Sequence, residues 1–267
     1  MKNADRRQKD GTMTQHDRRL FLIERLLAES PRHGDISIPQ DAAEQKQLLR
    51  ALCNVRAPGD IGDDFLAVQD EYLREETAAK GITDAADLLP AAEGLYPWQG
   101  DITTLRCDAI VNAANSGMTG CYAPCHNCID NCIHTYAGVQ LRLACARLMT
   151  AQGHAEETGR AKITRAFNLP CSYVIHTVGP IITGNVTDTD KELLASCYRS
   201  CLELARQNDI KSIAFCCIST GEFHFPHELA AEIAVRTVRQ HRGDCKVIFN
   251  VFKDIDYKIY RNLLGRH

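Results

Sequence analysis

Four short apolar runs, separated by longer amphipathic segments, limit the fold of this chain most strongly. The runs are CDAIVNAA at 107–114, YVIHTVG at 173–179, SIAFCCIST at 212–220 and KVIFNVF at 246–252. Runs of this length are typical of buried strands, and the segments between them have the apolar spacing of helices. The alternation predicts a layered α/β domain with a largely parallel sheet.

The chain before this domain has a different pattern. Apolar residues recur at helical spacing in RRLFLIERLLAE, EQKQLLRALCNV and DDFLAVQDEYLREE, with proline and glycine between these stretches. We therefore expect a helical N-terminal extension over 1–94 and the α/β domain over 95–267. Within that domain we expect a helical apolar stripe from Ile129 to Leu148, and a last helix that starts at Asp254 or Asp256.

Charge and hydropathy favour neither a nucleic-acid nor a membrane partner. The net charge is −3, and the longest apolar run near the N-terminus, LFLI at 20–23, is too short for a signal peptide or a membrane span. We expect a cytoplasmic protein. Thirteen cysteines, an odd number, do not predict a disulfide framework in that compartment. Eight of them stand among apolar residues and are expected to be buried filler: Cys107, Cys145, Cys171, Cys197, Cys201, Cys216, Cys217 and Cys245.

Unusual residues follow three of the expected strands, where ligands bind in open α/β sheets. Asn112 and Asn115 of NAANSGMTG can both donate and accept hydrogen bonds. The turn STGEFHFP offers backbone N–H groups to an anion such as phosphate, and Phe252 follows the last strand. Each signal is weak alone, because NAAN also fits an Asx turn and Phe252 also fits a core position.

The stretch CYAPCHNCIDNCIH at 121–134 contains four cysteines and two histidines. Thiolate and imidazole donors suit zinc, and a catalytic zinc site needs three protein ligands and one open position. Spacing alone leaves the ligands open, since Cys125 and Cys128 form a CxxC and Cys132 and His134 lie close by.

Three motifs together resemble the macrodomain family of ADP-ribose binders over residues 95–265. They are WQGDITTLRCDAIVNAAN, YVIHTVGP and SIAFCCISTGEFHFP, in this order and spacing. The resemblance implies a three-layer α/β/α fold with a mixed, largely parallel sheet. It implies that Asp101 binds the adenine amino group beside the backbone of Ile102, and that Asn115 faces the distal ribose. The remaining implied contacts are Phe252 near the adenine and a loop around the diphosphate, Ser219, Thr220, Gly221, Glu222 and Phe223.

After NAAN, most family members have a short glycine-rich loop, whereas this chain has the cysteine-rich insert. The insert and the helical extension resemble the zinc-containing macrodomain subfamily, which has a Cys…His-x-Cys cluster followed by IDN-x-IH-x-x-AG-x-x-LR. This implies zinc ligation by Cys121, His126 and Cys128, with sets that include Cys125 or Cys132 as alternatives. His134 is expected to be a hydrogen-bonded structural histidine.

The subfamily resemblance implies a zinc-dependent hydrolase that removes mono-ADP-ribose from a modified protein side chain, with Asn115 orienting the ribose. An ester of Asp or Glu is the preferred linkage, and a sirtuin-type transferase that modifies a carrier protein is the implied partner. The alternatives are a non-catalytic ADP-ribose-binding module with structural zinc and a deacetylase of O-acetyl-ADP-ribose. A cysteine nucleophile is disfavoured because zinc-bound thiolates are committed to the metal. Glu222 is expected to contribute backbone contacts only, because its carboxylate would repel the diphosphate.

Overall fold

The N-terminal part of the chain forms three helices that precede the main sheet. The computed structural model describes residues 13–29 and 35–265, so expectations that concern 1–12, 30–34 or 266–267 lie outside the described residues. The helices are α1 (Gln15–Ala28), α2 (Ala42–Val55) and α3 (Asp63–Lys80). Their apolar faces pack together into a core of their own, made of Leu22, Ile23, Leu26, Leu49, Leu52, Phe65, Tyr72 and Leu73.

Capping residues explain where these helices begin and end. The Thr14 side chain accepts from Asp17 N and the Asp17 side chain accepts from Thr14 N, which is a capping box at the start of α1. At α2 the Asp41 carboxylate accepts from two backbone N–H groups of the first turn. Helix α3 ends at Gly81, whose φ of 89° is open to glycine at little cost.

Six strands form the main sheet. They are β2 (Leu95–Gln99), β4 (Ala109–Ala114), β5 (Ala161–Arg165), β6 (Tyr173–Val178), β7 (Ser212–Phe215) and β8 (Lys246–Val251). Their order is β2-β8-β7-β4-β6-β5, and every pairing is parallel except that of β5 with β6. Two short strands, β1 (Thr83–Asp84) and β3 (Leu105–Arg106), pair separately. The predicted mixed, largely parallel sheet is confirmed.

Helices cover the sheet in two layers. Helices α6 (Asp188–Gln207), α7 (His227–His241) and α8 (Asp254–Leu264) pack against one another and contact strands at both ends of the sheet. Helices α4 (Ile129–Ala137) and α5 (Val139–Gln152) contact β4 and β5, and α4 also contacts α2 and α3. The N-terminal helices therefore lie against the layer that follows the cysteine-rich insert.

The single helix expected from Ile129 to Leu148 is wrong. Gly138, with φ of 96°, interrupts it and separates α4 from α5. The stripe residues Ile133, Ala137, Leu141 and Cys145 are buried all the same, while Leu148 is exposed. A positive φ costs glycine little, so the helix can break here while both short helices bury part of the stripe. The last helix starts at Asp254, one of the two predicted starts.

All thirteen cysteines are free thiols. Five of the eight expected to be filler are buried, namely Cys145, Cys171, Cys197, Cys201 and Cys216. The other three, Cys107, Cys217 and Cys245, are only partly buried. Within the described ranges, every helix is too short or too polar to cross a membrane.

Candidate functional site

A cavity of about 1460 Å³ lies at the carboxyl ends of β2, β4, β7 and β8. Its wall is completed by the cysteine-rich insert. All the residues predicted for the site line it: Asp101, Ile102, Asn115, Cys121, His126, Cys128, Ser219, Thr220, Gly221, Glu222, Phe223 and Phe252. Segments far apart in the sequence thus meet around one space, large enough for a dinucleotide-sized ligand.

Asp101 is fixed at one end of this cavity by three donors. Its Oδ1 accepts from the Thr103 backbone N (2.9 Å) and Oγ1 (2.6 Å), and its Oδ2 accepts from Lys80 Nζ (2.9 Å). Burial acts to raise the pKa of Asp101, but these donors outweigh it and hold the pKa below its ordinary value. The carboxylate is therefore ionised and oriented, with lone pairs left for a further donor. Phe252 lines the same cavity with 81% of its surface exposed.

The segment after β7 forms a compact turn. The Phe225 N–H donates to Ser219 O (2.9 Å), and Ser219 has a φ of 65°. A Cβ added at Gly221 would meet no protein atom within 4 Å, so the space beside this glycine is open. The predicted strand 212–220 is too long, because β7 ends at Phe215 and the rest belongs to this turn. A turn of this kind beside open space is suited to a bound anion.

Cys121, His126 and Cys128 bring their donor atoms within 4.8 Å of one another. His126 Nδ1 lies 3.7 Å from Cys121 Sγ, and Cys128 caps α4, with its sulfur accepting from Asn131 N at 3.4 Å. Burial is the main cause that raises the pKa of the Cys128 thiol to about 12, with the neighbouring Cys121 adding to it. A bound cation would offset the cost of ionising the Cys128 thiol in this position.

The alternative ligands are differently placed. Cys125 Sγ donates to Gln47 O (3.4 Å), and Cys132 Sγ lies 3.7 Å from Arg50 Nη2. In the described part of the chain, neither sulfur belongs to a group of three Cys, His or carboxylate donors close enough to hold one ion. The geometry therefore favours the Cys121, His126 and Cys128 set.

Glu222 turns its carboxylate away from the turn that bears it. The side chain is 70% exposed, and Oε1 lies 3.7 Å from His126 Nε2. Sequence reasoning gave Glu222 backbone contacts only, and it missed that this carboxylate faces the donor cluster. No local pattern could reveal it, because the two residues belong to different loops.

Asn115 and Asp130 form a hydrogen-bonded pair beside the donor cluster. Asn115 Nδ2 donates to Asp130 Oδ2 (3.3 Å) and Gly120 O (3.2 Å), and Asn112 Nδ2 donates to Asp130 Oδ1 (2.8 Å). Burial raises the pKa of Asp130 to about 6 in spite of these donors. Asp130 lines the cavity, so it can hold or release a proton there near neutral pH. Sequence reasoning missed it, although IDN directly follows the predicted ligands.

A second group of donors, His134, Cys145 and His176, is wholly buried. Asn112 Nδ2 lies 3.1 Å from His176 Nδ1, which must accept, so Nε2 carries the proton and donates to Thr164 Oγ1 at 2.9 Å. Burial lowers the pKa of His176 to about 4. With both ring nitrogens engaged, His176 has no lone pair for a metal.

The prediction for His134 is wrong in one respect. Its ring is buried against Gly120, but neither ring nitrogen has a hydrogen-bond partner among the described residues. Asp130 Oδ1 lies 3.5 Å from Nε2. Burial lowers the pKa of His134 well below its ordinary value. His134 is thus a neutral packing residue beneath the insert.

Two cavity residues come from the N-terminal helices and were not predicted. Lys80 lies over the Tyr136 ring, 3.3 Å from its centroid, while it pairs with Asp101, and Arg50 reaches the insert from α2. Nothing in the local sequence around Lys80 or Arg50 distinguishes them from ordinary surface residues of a helix, so these contacts could not be predicted. The N-terminal extension therefore supplies part of the wall.

Comparisons with known proteins agree with this geometry. Residues 111–234 match the model of the Macro domain family. A protein of Treponema medium named protein-ADP-ribose hydrolase is 58% identical over 95% of this chain and 100% of its own length. One of the same name from Staphylococcus aureus is 48% identical over 92% of this chain and 94% of its own.

A solved structure extends the likeness to three dimensions. The Trypanosoma brucei macrodomain, in complex with ADP-ribose, superposes with a TM-score of 0.62 at 28% identity, covering 80% of this chain and 95% of that one. The family model and these relatives together show that the chain belongs to the Macro domain family.

Proposed function

We propose that this protein is a protein-ADP-ribose hydrolase that removes mono-ADP-ribose from modified protein side chains with the help of a zinc ion. One observation carries the proposal: the Cys121, His126 and Cys128 donors converge in the wall of the cavity that Asp101, Asn115 and the 219–223 turn also line. The relatives named protein-ADP-ribose hydrolase support the activity.

The donor set fits zinc. Two sulfurs and one imidazole nitrogen are preferred zinc ligands, and three protein ligands leave a fourth position open. With Nδ1 directed toward Cys121, the other His126 nitrogen faces Glu222, which is the carboxylate–histidine pairing found around many metal ions. When bound, zinc would supply Lewis acidity to an oxygen of the distal ribose or of the linkage.

The chain's own groups would orient the substrate and move a proton. Asn115 donates both amide hydrogens to the protein, and its Oδ1 accepts from Gly117 N (3.0 Å), which leaves one lone pair for a ribose hydroxyl. Asp130 lies next to it and would exchange a proton at Oδ2 with the reacting group or with water. The 219–223 turn would bind the diphosphate through backbone N–H groups, and Asp101 would accept from the adenine amino group.

The resemblance of the insert to the zinc-containing subfamily supports a proposal for the linkage and the partner. We propose an Asp or Glu ester as the bond that is cut and a sirtuin-type transferase acting on a carrier protein as the source of substrate. We also propose a reducing, cytoplasmic setting, since metal binding by Cys121 and Cys128 requires thiolates.

A non-catalytic ADP-ribose-binding module with structural zinc is the second candidate. A closed four-ligand shell would favour it, whereas the donor cluster found among the described residues has three members and opens onto the cavity. Deacetylation of O-acetyl-ADP-ribose uses the same ester chemistry and is proposed as a side activity only.

Purified protein should be incubated with proteins that carry ADP-ribose on Asp or Glu, and separately on Ser, with and without a zinc chelator. We expect chelator-sensitive release from the Asp/Glu-linked substrate. Release from neither substrate, with ADP-ribose still bound, would support the binding module. If chelator-treated protein shown to lack zinc still releases ADP-ribose at the same rate, the metal does not take part in the reaction.

A further inference from the structure

Arg50 connects the N-terminal helices to the loop that carries the metal donors. Its Nη2 donates to His126 O (2.6 Å) and to Asn131 Oδ1 (2.9 Å), and its Nε lies 3.3 Å from the same Oδ1. A guanidinium donates in fixed directions, so these bonds define where His126 and Asn131 lie relative to α2.

Asn131 extends this contact to the rest of the loop. Its side chain is buried, and Nδ2 donates to Ala123 O (3.0 Å) and lies 3.5 Å from Cys121 O. Its backbone N–H donates to the Cys128 sulfur. Arg50 and Asn131 together therefore contact the backbone at Cys121, Ala123 and His126.

Two further residues of α2 contact the same loop. Asn54 Oδ1 accepts from Cys125 N (2.9 Å), and Gln47 O accepts from Cys125 Sγ (3.4 Å). Cys125 has a φ of 54°, a conformation uncommon for a residue with a side chain. Positions 47, 50 and 54 are three and four residues apart and lie on one face of the helix. The loop from Cys121 to Cys128, which contains no helix or strand, is thus shaped against α2.

We propose that Arg50 is a positioning residue that keeps the Cys121, His126 and Cys128 loop in the geometry that binds the metal. The N-terminal helices are then part of the metal site, beyond their role as packed support. This inference rests on the proposed zinc site. Without Arg50, the loop must be ordered at the moment of metal binding, which weakens affinity and speeds dissociation. Loss of such an outer partner typically costs about 10–100-fold in metal affinity.

The test compares four forms of the full chain: wild type, Arg50→Met, Arg50→Lys and Lys46→Met. Lys46 is on the same helix, but its ammonium pairs with Glu76 (2.7 Å) instead of the loop, so it is the matched control. Zinc affinity is measured by competition with a chromophoric chelator, ADP affinity by calorimetry, and stability of the metal-free protein by thermal unfolding. ADP is the probe because it lacks the distal ribose, which is the part proposed to lie beside Asn115 and the metal donors.

We expect Arg50→Met to weaken zinc binding about tenfold or more, with ADP affinity and metal-free stability close to wild type. The zinc affinity of Lys46→Met should stay within about twofold of wild type, since Lys46 pairs with Glu76 on α3 and not with the metal loop. Arg50→Lys keeps the positive charge but loses the planar guanidinium group with its fixed donor directions. Its zinc affinity should therefore lie between those of wild type and Arg50→Met. It is also the informative variant if Arg50→Met does not fold.

Three outcomes would count against the inference. Wild-type zinc affinity in Arg50→Met or, if that variant does not fold, in Arg50→Lys would overturn it. A parallel loss of zinc affinity, ADP affinity and metal-free stability would assign Arg50 a general structural role instead. If wild-type protein binds no zinc, or if Cys121→Ser leaves zinc binding unchanged, the proposed metal site itself fails, and this inference fails with it.

Discussion

Glu222 Oε1 lies 3.7 Å from His126 Nε2, so a residue of the turn after β7 faces a residue of the cysteine-rich insert across the mouth of the cavity. The opposite nitrogen of the same ring lies 3.7 Å from Cys121 Sγ. The proposed phosphate-binding turn and the proposed metal loop are therefore in direct contact. A substitution in the phosphate-binding turn should therefore affect metal binding, and a substitution in the metal loop should affect the turn.

Glu222→Gln should weaken zinc binding by less than about tenfold, because the carboxylate that supports His126 is lost but is largely exposed to solvent. Chelator competition measures this. Glu228→Gln, an exposed change in the first turn of α7, is the control. Equal zinc affinity in the two variants would mean that the Glu222–His126 contact does not support the metal.

Asp101→Ala should weaken ADP-ribose binding by about 1–3 kcal/mol, because the adenine amino group loses an oriented acceptor. Calorimetry measures it, and Asp101→Asn, which keeps one acceptor oxygen, should lose less. If well-folded, zinc-loaded wild type does not bind ADP-ribose, the ligand assignment is wrong. Unchanged affinity in Asp101→Ala would contradict only the adenine contact.

Gly221→Val should abolish ADP-ribose binding without unfolding the protein. An added Cβ meets nothing within 4 Å outside the adjoining residues, and the valine side chain would occupy the space proposed for the diphosphate. Gly184→Val is the matched control, because a Cβ there also meets nothing within 4 Å and the residue does not line the cavity. Normal binding by Gly221→Val would show that the diphosphate lies elsewhere.

His126→Ala should lower single-turnover release of ADP-ribose by a larger factor than it lowers ADP-ribose affinity. A metal that acts on the reacting bond stabilises the transition state more than the ground state, whereas a purely structural metal affects both alike. Metal content, affinity and release should be measured on one preparation. Equal losses of release and affinity would favour the structural role.

His176 should lower the free energy of unfolding by up to roughly 3 kcal/mol as the pH is lowered from about 6.5 to about 4. Burial lowers the pKa of His176 to about 4, so between these values the unfolded chain binds a proton that the folded chain does not. Asp130 acts in the opposite sense, because its raised pKa makes the folded state bind the extra proton between about pH 4 and 6.

Chemical denaturation of wild type and His176→Asn across this range measures the contribution of His176. As the pH is lowered from about 6.5 to about 4, the variant should lose less stability than wild type. Identical slopes would mean that His176 is protonated in the folded protein or does not titrate in this window.

The sequence predicted β4, β7 and β8, three of the four strands that carry the site, but it missed β2 and the contacts made across long distances. Buried parallel strands are apolar throughout, which makes runs such as 173–179 easy to identify. The antiparallel edge strand β5 was missed, since AKITR is short and mixed in polarity. The contact of Lys80 with Asp101 depends on how α3 packs, which local patterning does not specify.

The site was predictable to the extent that its residues stand at strand ends in recognisable motifs. Asn115 and the 219–223 turn follow strands, and parallel strands bring their carboxyl ends to one edge. The roles of Glu222 and Asp130 were not predictable, because they depend on side-chain direction and on burial. A sequence pattern predicts that an Asp in the first turn of a helix is a solvated group near the helix N-terminus, whereas Asp130 is buried.

The sheet order has a consequence for biosynthesis. Strand β2 is the first of the six to leave the ribosome, and it pairs with β8, the last. Leu95 therefore has no strand partner until Val247 has been synthesised. Pairings of such high sequence separation form slowly and leave strand edges unpaired in the meantime. Nascent chains that stop before β8 therefore lack one wall of the cavity, and ligand binding is expected only after the whole sheet has been synthesised.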